Sequence, residues 1–233
     1  MCPEKSDAVQ DGSKFVVPAA CRTFETANFE ERLSAAETLI EAFVEKVAPP
    51  LALDDKNEEW TKSVRGRFID ICPSDCDPSP KDRCTSKGEF LVDYTWEEKR
   101  DGKRILLASE SEWATDRFGK VHWCFVEEDF EKLLSVKAIF KVLIFSSDYS
   151  KPGCEGDRNG DFSIGFAKKR IADSLKNYGH HMAGEVYVFI DFPHRAPISE
   201  GLYRSFIWIV KKHGTGDLEF HEDGKDHKLH RPT

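Results

Sequence analysis

The chain of 233 residues sets 34 Lys and Arg against 42 Asp and Glu, a formal charge of −8 at pH 7. Hydrophobic residues make up 39%, with 17 Phe and 5 Trp. That is enough apolar surface for one generous core, and it excludes wholesale disorder. The acidic balance excludes nucleic-acid binding by bulk attraction, so any contact with phosphates needs a local basic face.

No apolar run nears the roughly 18 residues that span a bilayer, so no membrane partner is expected. Met1 to Lys14 lacks the basic start and apolar stretch of a secretory signal. The seven Cys are irregularly spaced. Together these predict a cytoplasmic protein with reduced thiols.

Residues 1–28 read as a polar N-terminal arm. A helix is predicted from about Phe29 to Val47, with Leu33, Ile40, Phe43, Val44 and Val47 on one face, and Pro49-Pro50 ends it. Leu51 to Lys62 is charged and carries Trp60 as a candidate anchor. A short strand is expected at Arg67–Cys72, then a long loop over Pro73–Lys87. Glu89–Trp96 and Arg104–Glu112 read as two strands folded back at Asp101-Gly102. A helix over about Glu127–Lys137 precedes an apolar strand, Phe140–Phe145. A second helix over Ser163–Tyr178 and strands at Glu185–Phe192 and Leu202–Lys211 follow. The tail, 214–233, reads as polar and mobile. The order implies a single α/β domain over 29–213. It is a three-layer sandwich with a central mixed β-sheet flanked by helices, parallel in the strand–helix–strand passages after Glu112.

The chemistry concentrates on carboxylates. Asp93 lies on the first hairpin strand. Glu110 and Glu112 lie two residues apart on the returning strand, hence on one side of it. Pairing of the strands brings Asp93 near Glu110. Two such acids suffice for Mg²⁺, which wants oxygen ligands and keeps several waters. The ion polarises a phosphate oxygen and activates water. The apolar run Ile105–Ala108 ends in Ser109-Glu110-Ser111-Glu112, and the carboxyl ends of strands are where open α/β sheets place ligands. Acids at strand ends are also often only solvated, and that reading stands beside the first.

Asp93, sixteen intervening residues, then Glu110-Ser111-Glu112 resembles the PD-(D/E)XK restriction-endonuclease-like superfamily. The resemblance implies a core of helix, three-stranded meander, helix and strand. It implies Asp93 and Glu110 as metal ligands, binding Mg²⁺ or Mn²⁺. Val92 stands where that pattern has Pro, and Glu112 where it has Lys. Some restriction enzymes of the family carry Glu-X-Glu there, and other members recruit a Lys from the following helix. Lys132 is the nearest candidate, although the helical wheel turns it away from Phe130, Leu133 and Leu134 toward solvent. Many members also place an acid on the first core helix, which makes Glu37 a third candidate metal ligand beside its reading as a boundary residue with its head in water.

Cys72, Cys76 and Cys84 invite a zinc reading completed by Cys124 or His122. Their spacing is not that of a standard zinc knuckle, and scattered thiols are the preferred reading. His180-His181 reads as a polar helix end. Lys168 and Lys169 are candidate phosphate contacts for DNA, against the ordinary solvated helix face. Two functional expectations result. One is a metal-dependent nuclease with Asp93, Glu110, Glu112 and Lys132 as catalytic residues. The other is an inactive nuclease-like fold that serves as a protein- or nucleic-acid-interaction module, with a protein partner or a second copy of the chain.

Overall fold

The computed structural model describes residues 14–24, 28–45, 57–79, 92–99, 104–113, 122–150, 156, 162–193, 202–214, 217–222 and 227–228. Helix α1 (Phe29–Val44) opens on a capping box: Asn28 accepts from Glu31 N–H at 2.8 Å, and Glu31 accepts from Asn28 N–H at 3.1 Å. Helix α2 (Asn57–Ile71) follows, then strands β1 (Cys76–Ser79), β2 (Tyr94–Glu98) and β3 (Ile105–Glu112). Helix α3 (Trp123–Ser135) leads to β4 (Ala138–Phe145), and α4 (Ile164–Asn177) to β5 (Val186–Asp191). Strands β6 (Leu202–Val210), β7 (Leu218–Glu222) and the short β8 (His227–Lys228) complete the described elements.

One mixed sheet runs in the order β1-β2-β3-β4-β5-β6-β7, with β8 paired to β6. Strands β1, β2 and β3 form an antiparallel meander. Strands β3, β4 and β5 are parallel, and β6 and β7 return antiparallel. Alternate residues of β4 face opposite ways: Val142 and Ile144 pack with α1 and α2, Leu143 and Phe145 with α3 and α4. The molecule is therefore an α/β sandwich whose central sheet is covered on both faces, and β4 is buried throughout. No described helix is long and apolar enough to cross a membrane.

Several expectations change. Arg67–Cys72 is not a strand. It forms the end of α2 and the turn after it, and Trp60, Val64, Phe68 and Ile71 bury one helical stripe. The stretch read as a loop contains β1. This is an edge strand, so it tolerates Pro78, which has no N–H to give a second neighbour. The N-terminal arm is not wholly peripheral, since Phe15, Val17 and Cys21 lie in the core. The polar tail contributes β7, which extends the sheet past residue 213. His181 is not a polar helix end. It is buried, with Nε2 2.7 Å from the Leu175 carbonyl and Nδ1 3.2 Å from the Tyr187 hydroxyl. Val47, Asp101 and Gly102 lie outside the described residues.

Two buried cations tie the layers together. Arg32 of α1 donates to the Gly184 and Thr23 carbonyls, each at 2.6 Å. Gly184 has φ +86°, and a Cβ there would come within 2.5 Å of the guanidinium, so glycine is required on both grounds. Lys141 of β4 lies 3.1 Å from Glu185 Oε1 and donates to the Tyr187 hydroxyl at 3.0 Å. Phe68 stacks on Tyr94 and meets Phe43 and Trp96, which makes it the joint between α2 and the meander. Phe68→Ala should destabilise the fold by about 3–5 kcal/mol, read as a lowered midpoint in urea denaturation.

Candidate active site

The site begins with the pairing of β2 and β3. Tyr94 lies opposite Ser109, so Asp93, in the bend just before β2, falls opposite Glu110. The Asp93 N–H donates to Glu110 Oε2 at 3.2 Å. The Asp93 carboxylate turns back on β3, where Oδ2 accepts from the Ser111 N–H and hydroxyl, both at 3.1 Å. Its other oxygen faces Arg65 of α2, with Nη2 at 3.2 Å. Sequence reasoning thus placed Asp93 one residue too deep, on a strand rather than before it, but the two acids do meet.

Glu110 is buried on the face covered by α3. Lys132 of that helix reaches it, with Nζ 3.8 Å from Oε1, and is anchored by Asp129 at 2.7 Å. The helical wheel had turned Lys132 to solvent. Its side chain is 37% exposed, and its length lets the ammonium bend back over the strand end. Oε1 of Glu110 is buried with no hydrogen-bond partner among the described residues.

The electrostatics follow from this crowding. Burial, then the fields of Asp93 and Asp129, push the Glu110 carboxyl up to about 10, against the opposing pull of Lys132. Asp129 is also raised, chiefly by burial, in spite of its bond to Lys132. Burial works against the charge on Lys132, but the Asp129 hydrogen bond and the Glu110 and Asp129 carboxylates outweigh it and hold the ammonium above its ordinary value.

The other candidates differ in where they lie. Glu112 is partly buried on the same face as Glu110, opposite Phe145 of β4. Glu37 is exposed on α1 and lines a groove of about 410 Å³ with Tyr203, Ser205 and His221 of β6 and β7. Strand β6 is three strands from β3, so the acid of the first helix does not join the cluster. Lys168 is bonded to Glu222 and lies over the Phe206 ring at 5.5 Å, while Lys169 beside it is exposed. The neighbouring cations are matched too: Arg170 with Glu127, Arg204 with Asp191, Lys211 with Glu219 and Lys212 with Asp217.

Among the described residues the zinc reading finds no centre. Cys72 and Cys76 are buried near each other, and burial pushes their thiols up to about 12 and about 11. Cys124 and His122 belong to α3, across the sheet, and Cys84 lies outside the described residues. No group of three or more His, Cys, Asp or Glu among the described residues is placed to hold a metal ion. A Mg²⁺ site asks less of the protein, one or two carboxylates with water, and Asp93 and Glu110 are two carboxylates that the fold brings together.

Sequence reasoning missed Arg65, Ser111 as a ligand of Asp93, and Asp129. The first was hidden by misreading α2. The third carried a usable signal, an Asp-X-X-Lys spacing that places opposite charges one helical turn apart. No protein-family model, curated protein or solved structure matches this chain.

The raised Glu110 carboxyl gives a signed expectation. The folded protein holds this proton more tightly than the unfolded chain, so the stabilisation is present at acid pH and lost as pH rises from about 4.5 toward about 10. Glu110→Gln keeps the shape without the ionisation. It should raise the Tm of the metal-free protein at pH 8 and flatten its decline with pH, as followed by circular dichroism. An unchanged pH profile would contradict the assigned cause.

Proposed function

We propose that the chain is a divalent-metal-dependent nuclease of the restriction-endonuclease-like kind, hydrolysing nucleic-acid phosphodiester bonds. The observation that carries this reading is the meeting of Asp93 and Glu110 across the β2–β3 pair, with Lys132 of the next helix within 3.8 Å of Glu110. The meander β1-β2-β3, helix α3 and parallel β4 give the element order that the PD-(D/E)XK resemblance implies. The donor set suits Mg²⁺ or Mn²⁺: two close carboxylates, one with a buried oxygen lacking a hydrogen-bond partner among the described residues.

Asp93 and Glu110 would hold the metal. When bound, such an ion supplies a Lewis acid for the phosphate and lowers the pKa of water. Lys132, aimed by Asp129, is the donor for a phosphate oxygen or the attacking water, a cationic role that Glu112, an acid, cannot fill. Glu112 is left to accept a hydrogen bond from that water.

The ion pairs of Arg65 with Asp93 and of Lys168 with Glu222 favour a second reading. In it the fold is a non-catalytic interaction module and the acids are already neutralised within the chain. Cleavage separates the two. Plasmid, linear and single-stranded DNA and RNA should be incubated with Mg²⁺ or Mn²⁺ and wild-type protein, Glu110→Ala or Lys132→Ala. Cutting by wild type that falls about 10²-fold or more in both variants supports the nuclease. Equal cutting by all three marks a contaminant. No cutting, together with no metal-induced rise in Tm that Asp93→Ala abolishes, supports the module.

A further inference from the structure

We propose that Arg65 is a built-in stand-in for the metal: it neutralises Asp93 until a divalent cation arrives, and once displaced it binds the substrate phosphate. This rests on the nuclease reading and adds to it a competition at Asp93 and a second phosphate-binding cation.

The geometry sets up the exchange. Asp93 has two carboxylate oxygens. Oδ2 is committed to Ser111, and Oδ1 faces Arg65, whose Nη2 sits 3.2 Å from it. A cation approaching Asp93 therefore meets the guanidinium first. The two side chains are 15% and 22% exposed, enough for the pair to part without opening the core. The helix bearing Arg65 will not follow it, because Val64 and Phe68 are buried in the layer beneath. What moves is a long side chain on a fixed backbone.

Arg65 also has donors to offer. A guanidinium carries five N–H groups in a plane that matches two oxygens of a phosphate. Its contact with Asp93 uses one nitrogen, and its buried Nε has no hydrogen-bond partner among the described residues. Lys168, Arg170 and Arg204 each face a carboxylate outside the acidic pair: Glu222, Glu127 and Asp191. Arg65 and Lys132 flank the acidic pair from α2 and α3, on opposite faces of the sheet. A phosphodiester drawn to a divalent cation held by that pair would meet a guanidinium on one side and an ammonium on the other.

The competition has a thermodynamic signature that a merely structural arginine lacks. If the metal must displace Arg65, removing the guanidinium tightens metal binding. If the freed guanidinium then takes phosphate, the same change weakens the nucleic acid. Mg²⁺ and Mn²⁺ titrations of wild type, Arg65→Gln and Arg65→Lys, by calorimetry and thermal shift, read the first effect. Anisotropy of a fluorescent oligonucleotide in Ca²⁺ reads the second. For Arg65→Gln the expected result is metal binding about tenfold tighter and oligonucleotide binding about tenfold weaker, the range of one partly exposed charged contact. Arg65→Lys retains a charge without the fork and should shift both in the same directions by less. It also serves if the glutamine variant fails to fold. Metal binding unchanged or weakened in a folded variant overturns the proposal. So does tighter metal with unchanged oligonucleotide affinity. If wild type binds metal and Glu110→Ala abolishes cutting while Arg65→Gln moves neither constant, this inference fails alone. If neither wild type nor variant binds metal at millimolar concentration, it fails together with the nuclease reading.

Discussion

A carboxyl group set inside an apolar layer must find a counter-charge, take up a proton, or leave. Glu110 does not leave, because β3 is held between β2 and β4 and its register is fixed along the strand. The rest of the site is arranged around that constraint. Lys132 leans in from α3, Asp129 steadies it, and the Asp93 amide caps one oxygen. Asp93 then sits close enough to repel Glu110, and needs Ser111 and Arg65 of its own. Two acids thus recruit partners from both helical layers, in a region where a core alone would need none.

The scaffold makes this affordable by rigidity elsewhere. Helix α2 is pinned by Trp60, Phe68 and Ile71, and α3 by Trp123, Phe130 and Leu133. Arg65 of α2 and Lys132 of α3 reach the same end of the β2–β3 pair. The Arg32 contacts anchor α1 to the turn before β5, so the layer carrying α1 and α2 cannot slide over the sheet without losing hydrogen bonds inside the protein.

Much of this was legible in the amino-acid order. The run from β3 to β6 follows hydrophobic patterns of sufficient length, and the meeting of Asp93 with Glu110 follows from the antiparallel pairing alone. What escaped has physical causes. Arg67 to Cys72 is a short Phe- and Ile-containing run that its length alone does not assign to helix or strand, and only the longer spacing of Trp60, Val64, Phe68 and Ile71 betrays a helix. Strands β1 and β7 lie at the two edges, where half-exposed residues and a proline leave no apolar run. Lys132 was judged by its own angle on the helix, whereas its position depends on Asp129, a buried acid three residues earlier. Glu37 failed for the opposite reason: its phase on α1 was visible, but which strand α1 crosses is a tertiary fact.

The matched charges on α4, β6 and β7 have a consequence for encounter kinetics. With those cations cancelled within the fold, the far field of the molecule is that of its excess acid, −8 in all. A polyanion drifting toward it is repelled at long range, and any attraction would have to act over the last few ångströms. Dissolved electrolyte shortens the repulsive reach to about 10 Å at 0.1 M. Capture of such a strand would therefore quicken as ionic strength rises from very low values, the reverse of what a basic groove does.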